Sequence, residues 1–390
     1  MTRRLIGQIH LWIGVALCAP LVALGLSGSL LVLEDQWAGL LDPDPAASRV
    51  AVAGEPRPVG EIPAAAQAAA PPGYAPAFYR TPAQEGGRAS VRLTPKSRDR
   101  QGPGDAVRID VDPVSLQVFA DLPSIRVVGF IHRLHADFFL PDRQLVGWLG
   151  VAMVALGISG LVNWWPPRRR WRDGFTVRRG ATGQALYRQL HGAAGIWSYL
   201  VFIAVSLSGV YLAFPQTVRA GIDLVLPARD LRAEVNGVKV APLADATAMP
   251  VDEAIALARE TVPGARVDLV GLASRPDQPL RVTLLRPGQE RGAPAVTVLV
   301  DPWARRVVKA LDPHDFSAGE GIVAWQHAIH SGIGAGSVWK VLVFASGFLP
   351  LLFSITGVSM WWLKRGRRKA AAARPRAAPD QLSPARRAAE

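Results

Sequence analysis

HLWIGVALCAPLVALGLSG, from His10 to Gly28, and HGAAGIWSYLVFIAVSLSG, from His191 to Gly209, decide the fold. Each opens on a histidine, closes on Ser-Gly 18 residues later and holds no charged residue between. A helix crosses a bilayer with about 20 apolar residues, so each stretch is the body of a membrane span. Its recurrence makes the chain a repeat.

Four apolar runs contain these and their partners: Leu5 to Leu33, Leu145 to Trp165, Ile196 to Phe214 and Val338 to Leu363, none with an acidic residue. The first is too long for a signal-peptide core, lacks a small-residue cleavage site and is echoed later, so it reads as a retained span. His132-Arg133-Leu134-His135 leads the second run, which ends Ser159-Gly160 and Trp164-Trp165. His327-Ala328-Ile329-His330 leads the fourth, which ends Thr356-Gly357 and Trp361-Trp362. The expected fold is a mainly α membrane protein, its four transmembrane helices forming two parallel-oriented repeats related by an axis along the membrane normal. The intervals are span one 1–33, an outward domain 34–125, an HxxH helix with span two 126–165 and a basic loop 166–189. The second copy is span three 190–214, an outward domain 215–321, an HxxH helix with span four 322–363 and a basic tail 364–390.

Each outward segment reads as a small α+β domain. Helical stretches are expected at Ile62 to Ala70 and Val251 to Thr261, each followed by Pro-Gly, and strands at Val107 to Val111 and Val296 to Val300, each ending in Asp-Pro. Ser97 to Gly104 and Gly288 to Gly292 read as loops, and the Ala, Pro and Arg rich tail after Ala370 as disordered.

Charge orients the spans. Arg3 and Arg4, the Arg-rich 168–188 stretch and the tail from Lys364 carry 18 of the 44 basic residues and 3 of the 31 acidic ones. The whole net charge of +13 therefore belongs to segments that the positive-inside rule keeps in the cytoplasm. Both termini are expected inside, the outward domains in the periplasm, and nucleic acid is not an expected partner. The lone cysteine, Cys18, forms no intrachain disulfide, and no C-x-x-C-H site for covalent haem occurs.

Six of the seven histidines are duplicated between the halves: His10 with His191, His132 with His327, His135 with His330. Because ionisable groups in a bilayer are costly, such residues mark function. At 1.5 Å per residue, 18 residues are roughly 27 Å, so His10 and His191 meet Gly160 and Gly357 in one leaflet while the HxxH histidines meet Gly28 and Gly209 in the other. Two imidazoles and side-chain-free backbone at each level suit a non-covalent porphyrin. The glycines are equally readable as helix-packing contacts, and the HxxH pairs as a bare zinc or iron site. Spacing does not rank His132 against His135, or His327 against His330. His314, in Asp312-Pro313-His314-Asp315, has no counterpart in the first half and reads as solvated or as lying near a metal-bearing substrate. Walker A, GxGxxG, flavin and nucleophile-elbow motifs are missing.

Taken together, Ile9-His10, Leu134-His135, Leu190-His191, His330-Ser331-Gly332 and the Ser/Thr-Gly and Trp-Trp span endings resemble the PepSY-associated transmembrane family over nearly the whole chain. That family includes iron-regulated membrane proteins and ferrisiderophore reductases of the inner membrane. The resemblance implies PepSY-like outward domains and two b-type haems per chain, with His10, His135, His191 and His330 as ligands of the haem iron and His132 and His327 as alternates. It further implies haem-dependent reduction of Fe(III) in a periplasmic siderophore; since the chain has no nucleotide or flavin motif, the expected electron donor is a quinol or a cytosolic reductase. The alternatives from other classes are a haem-free uptake, sensory or binding protein, and a quinol-linked cytochrome with another periplasmic acceptor.

Overall fold

The computed structural model describes residues 3–42, 54–83, 86–96, 106–120, 122–167, 171–243 and 246–372, with side chains described to residue 368. Arg168 to Arg170, the loop 97–104 and most of the basic tail lie outside the described residues.

Three helical stretches are long and apolar enough to cross a membrane: Gln144–Trp164 (α6), Gly183–Ala213 (α8) and Ser337–Arg368. The last joins α13, Ser337–Ser346, to α14, Leu349–Ala372. A fourth candidate is the pair α1, Arg3–Ala16, and α2, Cys18–Val32, bent by 67°. The bend has a local cause. Pro20 has no N–H for the carbonyl four residues back and its ring crowds that carbonyl, so a straight helix cannot continue through Leu17.

The helices pack where side chains are small. A Cβ on Gly147 would meet Ala213 Cβ at 2.8 Å, and one on Gly157 would meet Ile203 Cδ1 at 2.9 Å, which seats α6 closely against α8. Across the other seam, a Cβ on Gly347 would collide with Ser29 Oγ and the Gly25 carbonyl, and Ser29 Oγ donates to the Phe344 carbonyl at 2.7 Å. Close backbone approach through small residues is how helices associate without a hydrophobic driving force.

Between α2 and α6 lie α3, Glu34–Trp37, a 3₁₀ turn at Ala38–Leu41, α4, Glu61–Ala68, and α5, Pro123–Ala136. The chain then passes through α7, Trp171–Gly174, and beyond α8 through α9, Pro215–Asp223, α10, Leu231–Gly237, α11, Val251–Glu260, and α12, Ala318–Ser331. The helices expected near Ile62 and Val251 are α4 and α11.

The strands depart from expectation in one respect. Instead of two separate small domains, β1 Tyr74–Arg80, β2 Ala89–Pro95, β3 Val107–Val111 and β4 Val118–Phe119 join β5 Arg266–Gly271, β6 Leu280–Leu285, β7 Val296–Asp301 and β8 Arg306–Leu311 in one sheet. Its order is β4-β3-β2-β1-β5-β6-β7-β8, antiparallel throughout, with Tyr79 opposite Val270 at the junction of the halves. Pairing β1 with β5 removes two edges that would otherwise present unpaired backbone groups. α4 and α11 cover one face, and a single core runs through both halves, from Ile62, Val91 and Ile109 to Ile255, Val282 and Val298. Helix α11 also serves its neighbour: the Asp252 carboxylate accepts from Val59 N at 2.6 Å and Gly60 N at 3.0 Å, ahead of α4. The Asp-Pro strand ends repeat in detail. Asp112 Oδ1 accepts from the backbone of Val114 and Ser115, and Asp301 Oδ1 from that of Trp303 and Ala304.

Candidate functional site

The HxxH helices are set by their first turns. Both α5 and α12 are 14 residues long, and His135 and His330 occupy the same position, one residue before the end. At the start of α5 the buried Asp42 accepts from Ser124 N at 3.1 Å. At the start of α12, Ser317 and Glu320 form a capping box, and the buried Glu320 carboxylate also receives Arg229 Nε at 2.6 Å. Capping pairs of this kind satisfy donors that a helix start leaves open, and here they fix where the histidines arrive about three turns later.

His135 lies against α2. Its ring is 2.8 Å from where a Cβ of Gly28 would stand, and Nδ1 is 3.0 Å from the Leu24 carbonyl and 3.2 Å from Ser27 Oγ. His330 repeats this on α8: its ring is 3.0 Å from a Cβ on Gly209, with Nδ1 3.0 Å from the Val205 carbonyl and 3.4 Å from Ser208 Oγ. At the opposite end of the spans His10 Nδ1 is 2.9 Å from Ser159 Oγ and His191 Nδ1 is 2.8 Å from Thr356 Oγ1. Their rings lie 3.3 Å and 3.8 Å from Cβ positions at Gly160 and Gly357.

These contacts determine a tautomer. A carbonyl only accepts, so Nδ1 of His135 and of His330 carries the proton. Ser159 Oγ also lies 2.6 Å from the Ala155 carbonyl and Thr356 Oγ1 2.8 Å from that of Leu352; with each hydroxyl proton assigned to its helix carbonyl, both hydroxyls accept from the histidine. All four imidazoles therefore donate from Nδ1 and keep the lone pair on Nε2. That is the arrangement of a histidine that binds a metal through Nε2, oriented by the hydrogen bond at its other nitrogen.

Across the halves the rings meet in pairs. The His10 and His191 centroids are 6.2 Å apart and those of His135 and His330 are 5.8 Å apart. A metal held between two imidazoles at about 2.0–2.1 Å per bond, with roughly 1 Å more to each ring centre, needs centroids about 6 Å apart. Two imidazoles are too few for a bare tetrahedral ion, and among the described residues no group of three or more His, Cys, Asp or Glu could hold one. They would suffice to hold a haem, whose porphyrin brings its own ring nitrogens. The residues present thus fit that group at two levels. Along the uninterrupted α8 these levels, at His191 and Gly209, are 18 residues or roughly 27 Å apart. Along span one the Pro20 bend shortens the distance.

Two expectations change. The glycines were expected to give a porphyrin room; the room they leave is occupied by the imidazole edge, most tightly at Gly28 and Gly209. In each HxxH pair the second histidine turns inward, whereas His132 and His327 are exposed. Sequence periodicity could not rank the pair, because i and i+3 share a face and only the position of α2 and α8 separates them. His314 is exposed in the short turn between β8 and α12 and belongs to neither histidine pair.

A helical membrane protein with paired inward histidines and a sheet on one side is the class that these features define. The sequence model of the PepSY-associated TM region matches residues 8–364, and the chain belongs to that family. No curated protein matches it.

Proposed function

We propose that the chain is an inner-membrane electron-transfer protein that holds two b-type haems and reduces Fe(III) in periplasmic siderophores, releasing Fe(II). In this reading the bent α1–α2 pair is a fourth span, the basic segments and both termini lie in the cytoplasm, and the sheet lies in the periplasm. His10 and His191 hold one haem, His135 and His330 the other. The observation that carries the reading is that four histidines, each hydrogen-bonded at Nδ1, meet in two pairs with ring centroids 6.2 Å and 5.8 Å apart.

Haem, when bound, supplies a one-electron couple inside a barrier that apolar helices cannot carry charge across. The chain's own part is to hold and to insulate. Ser159, Thr356 and the Leu24 and Val205 carbonyls fix each imidazole, and apolar helices surround them. Hard oxygen ligands favour Fe(III), so adding one electron loosens the complex. The donor is a membrane quinol or a cytosolic reductase, since the sequence carries no nucleotide or flavin motif of its own.

The test is the reduced-minus-oxidised spectrum of the purified full-length chain. Low-spin b-type haem at about two per chain is expected, and His10→Ala and His330→Ala should each remove about half. A colourless protein, or variants with the parent's spectrum, would sink the proposal.

A further inference from the structure

Between the β6–β7 connection and the turn that follows His330 lies an open-sided cavity of about 730 Å³ whose wall includes Arg286, Glu290, Asp312, His314, Trp325 and Gly334. Small-molecule sites usually measure about 300–1,000 Å³; the neighbouring cavity, lined by Leu231 and Arg281, is only about 230 Å³. We propose that this larger cavity docks the ferric chelate, and that it takes neutral chelates of the hydroxamate kind in preference to catecholate trianions. The inference rests on the electron-transfer reading above for the fate of the bound iron.

Position is the first argument. Gly334 follows His330 by four residues, so their Cα atoms are no more than about 14 Å apart even in a fully extended chain. The wall is also locked to the histidine helix. A Cβ on Gly292 would meet the Ile333 carbonyl at 2.7 Å, one on Gly334 would collide with Ala293 N, and Gly336 N donates to Glu290 Oε2 at 3.1 Å. The first half offers no such turn: after His135 the chain passes through Asp137, Phe138 and Phe139, bulky residues where the second half has three glycines between 332 and 336.

Charge is the second. Arg286 is paired with Asp312, and Glu290 is occupied by Gly336 N, which leaves the wall with one guanidinium against two carboxylates. Three singly charged hydroxamates cancel the ferric charge, whereas three doubly charged catecholates leave a trianion that this wall repels. What remains uncommitted is an indole face, Trp325 being 41% exposed, and the exposed His314 ring, which has no hydrogen bond among the described residues. One electron passes from the His135–His330 level to the ferric ion, no bond forms between protein and chelate, and the ferrous product is held less tightly.

Gallium(III) has the charge of Fe(III) and is not reduced, so its chelates read binding alone. Calorimetry on the full-length protein should show a gallium tris-hydroxamate bound, weakened about tenfold by His314→Ala and by Trp325→Ala. The gallium tris-catecholate should bind at least about tenfold more weakly, with Glu290→Gln narrowing the gap. Parent-like affinity in both alanine variants, or equal affinity for the two chelates, overturns the proposal. A haem-free protein with the expected binding pattern refutes electron transfer and leaves the site standing. A haem-bearing protein whose ferric reduction ignores both variants does the reverse.

Discussion

Each of the four inward histidines is held by its Nδ1, and each leans on a glycine, but the glycines are not equivalent. At Gly28 a methyl group would stand 2.8 Å from His135 Cε1, closer than Cβ contacts occur, and the ring is confined by the Leu24 carbonyl and Ser27. At Gly357 the corresponding gap to His191 is 3.8 Å, ordinary van der Waals contact. On the proposed di-haem reading, Gly28→Ala is therefore expected to displace His135 and to lose the haem signal at that level, while Gly357→Ala leaves the spectrum intact. Difference spectra of the two variants check this, and equal effects would contradict it. Thr356→Val keeps the shape at that site but removes the acceptor for His191 Nδ1. Losing the partner that orients a ligand commonly lowers affinity by about 10–100-fold, so this variant should shed haem on dilution at the His10–His191 level only, measured by absorbance. The duplicated histidines and Ser/Thr-Gly pairs stand open in the sequence because their spacing repeats. That the hydroxyl and carbonyl acceptors choose the tautomer was not legible there, because it depends on which helix each ring faces.

At the level of elements, the HxxH helices show how two copies of one unit are held by different chemistry. α5 relies on Asp42 at its start and ends on Asp137, with Phe138 and Phe139 at positive φ. α12 has a capping box and closes on Gly332 at φ 72°, the left-handed cap that glycine adopts without a Cβ penalty. Ser317→Ala should cost about 1 kcal/mol of stability, the usual value of an N-cap hydroxyl, measured by thermal melting. Glu320 adds a pH dependence. The hydrogen bond from Arg229 holds its carboxyl below the ordinary glutamate range. Because the folded-state value is the lower one, the stabilisation is present in full above the ordinary glutamate range and is lost as pH falls through the depressed value. The melting temperature of the parent should therefore exceed that of Glu320→Gln at pH 7, with the gap closing on acidification; a gap that widened toward acid would contradict the assignment. The two helices followed by Pro-Gly and the two strands at Val107 and Val296 ending in Asp-Pro were readable within one or two residues, whereas the other six strands were not bounded. The bend in span one rests on Pro20, which was visible, but hydropathy averages over it and reads a straight span.

For the whole molecule, the joining of the halves is what the sequence concealed. Alternation along β1 and β5 fixes which side chains face the core but not which strand lies beside which, so two small sheets and one large one have the same pattern. The distinction has consequences: with β1 against β5, the strands that lead into α5 and α12 belong to one sheet with one core, so the chain entering both histidine helices comes from a single body. The register places Arg80 opposite Leu269, away from the helix-covered core. Directly opposed residues on antiparallel strands have Cβ atoms about 4.5–5.5 Å apart, near enough to the span of a disulfide for a small backbone adjustment to close it. In a Cys18→Ser background, Arg80→Cys with Leu269→Cys should therefore cross-link under mild oxidation. Cleavage at a protease site inserted between α7 and α8 would then leave the two halves migrating as one species without reductant and as two with it. Separation in both lanes, despite oxidised thiols, would mean that the outward segments fold apart, and the sheet would have to be redrawn as the two domains that the sequence suggested.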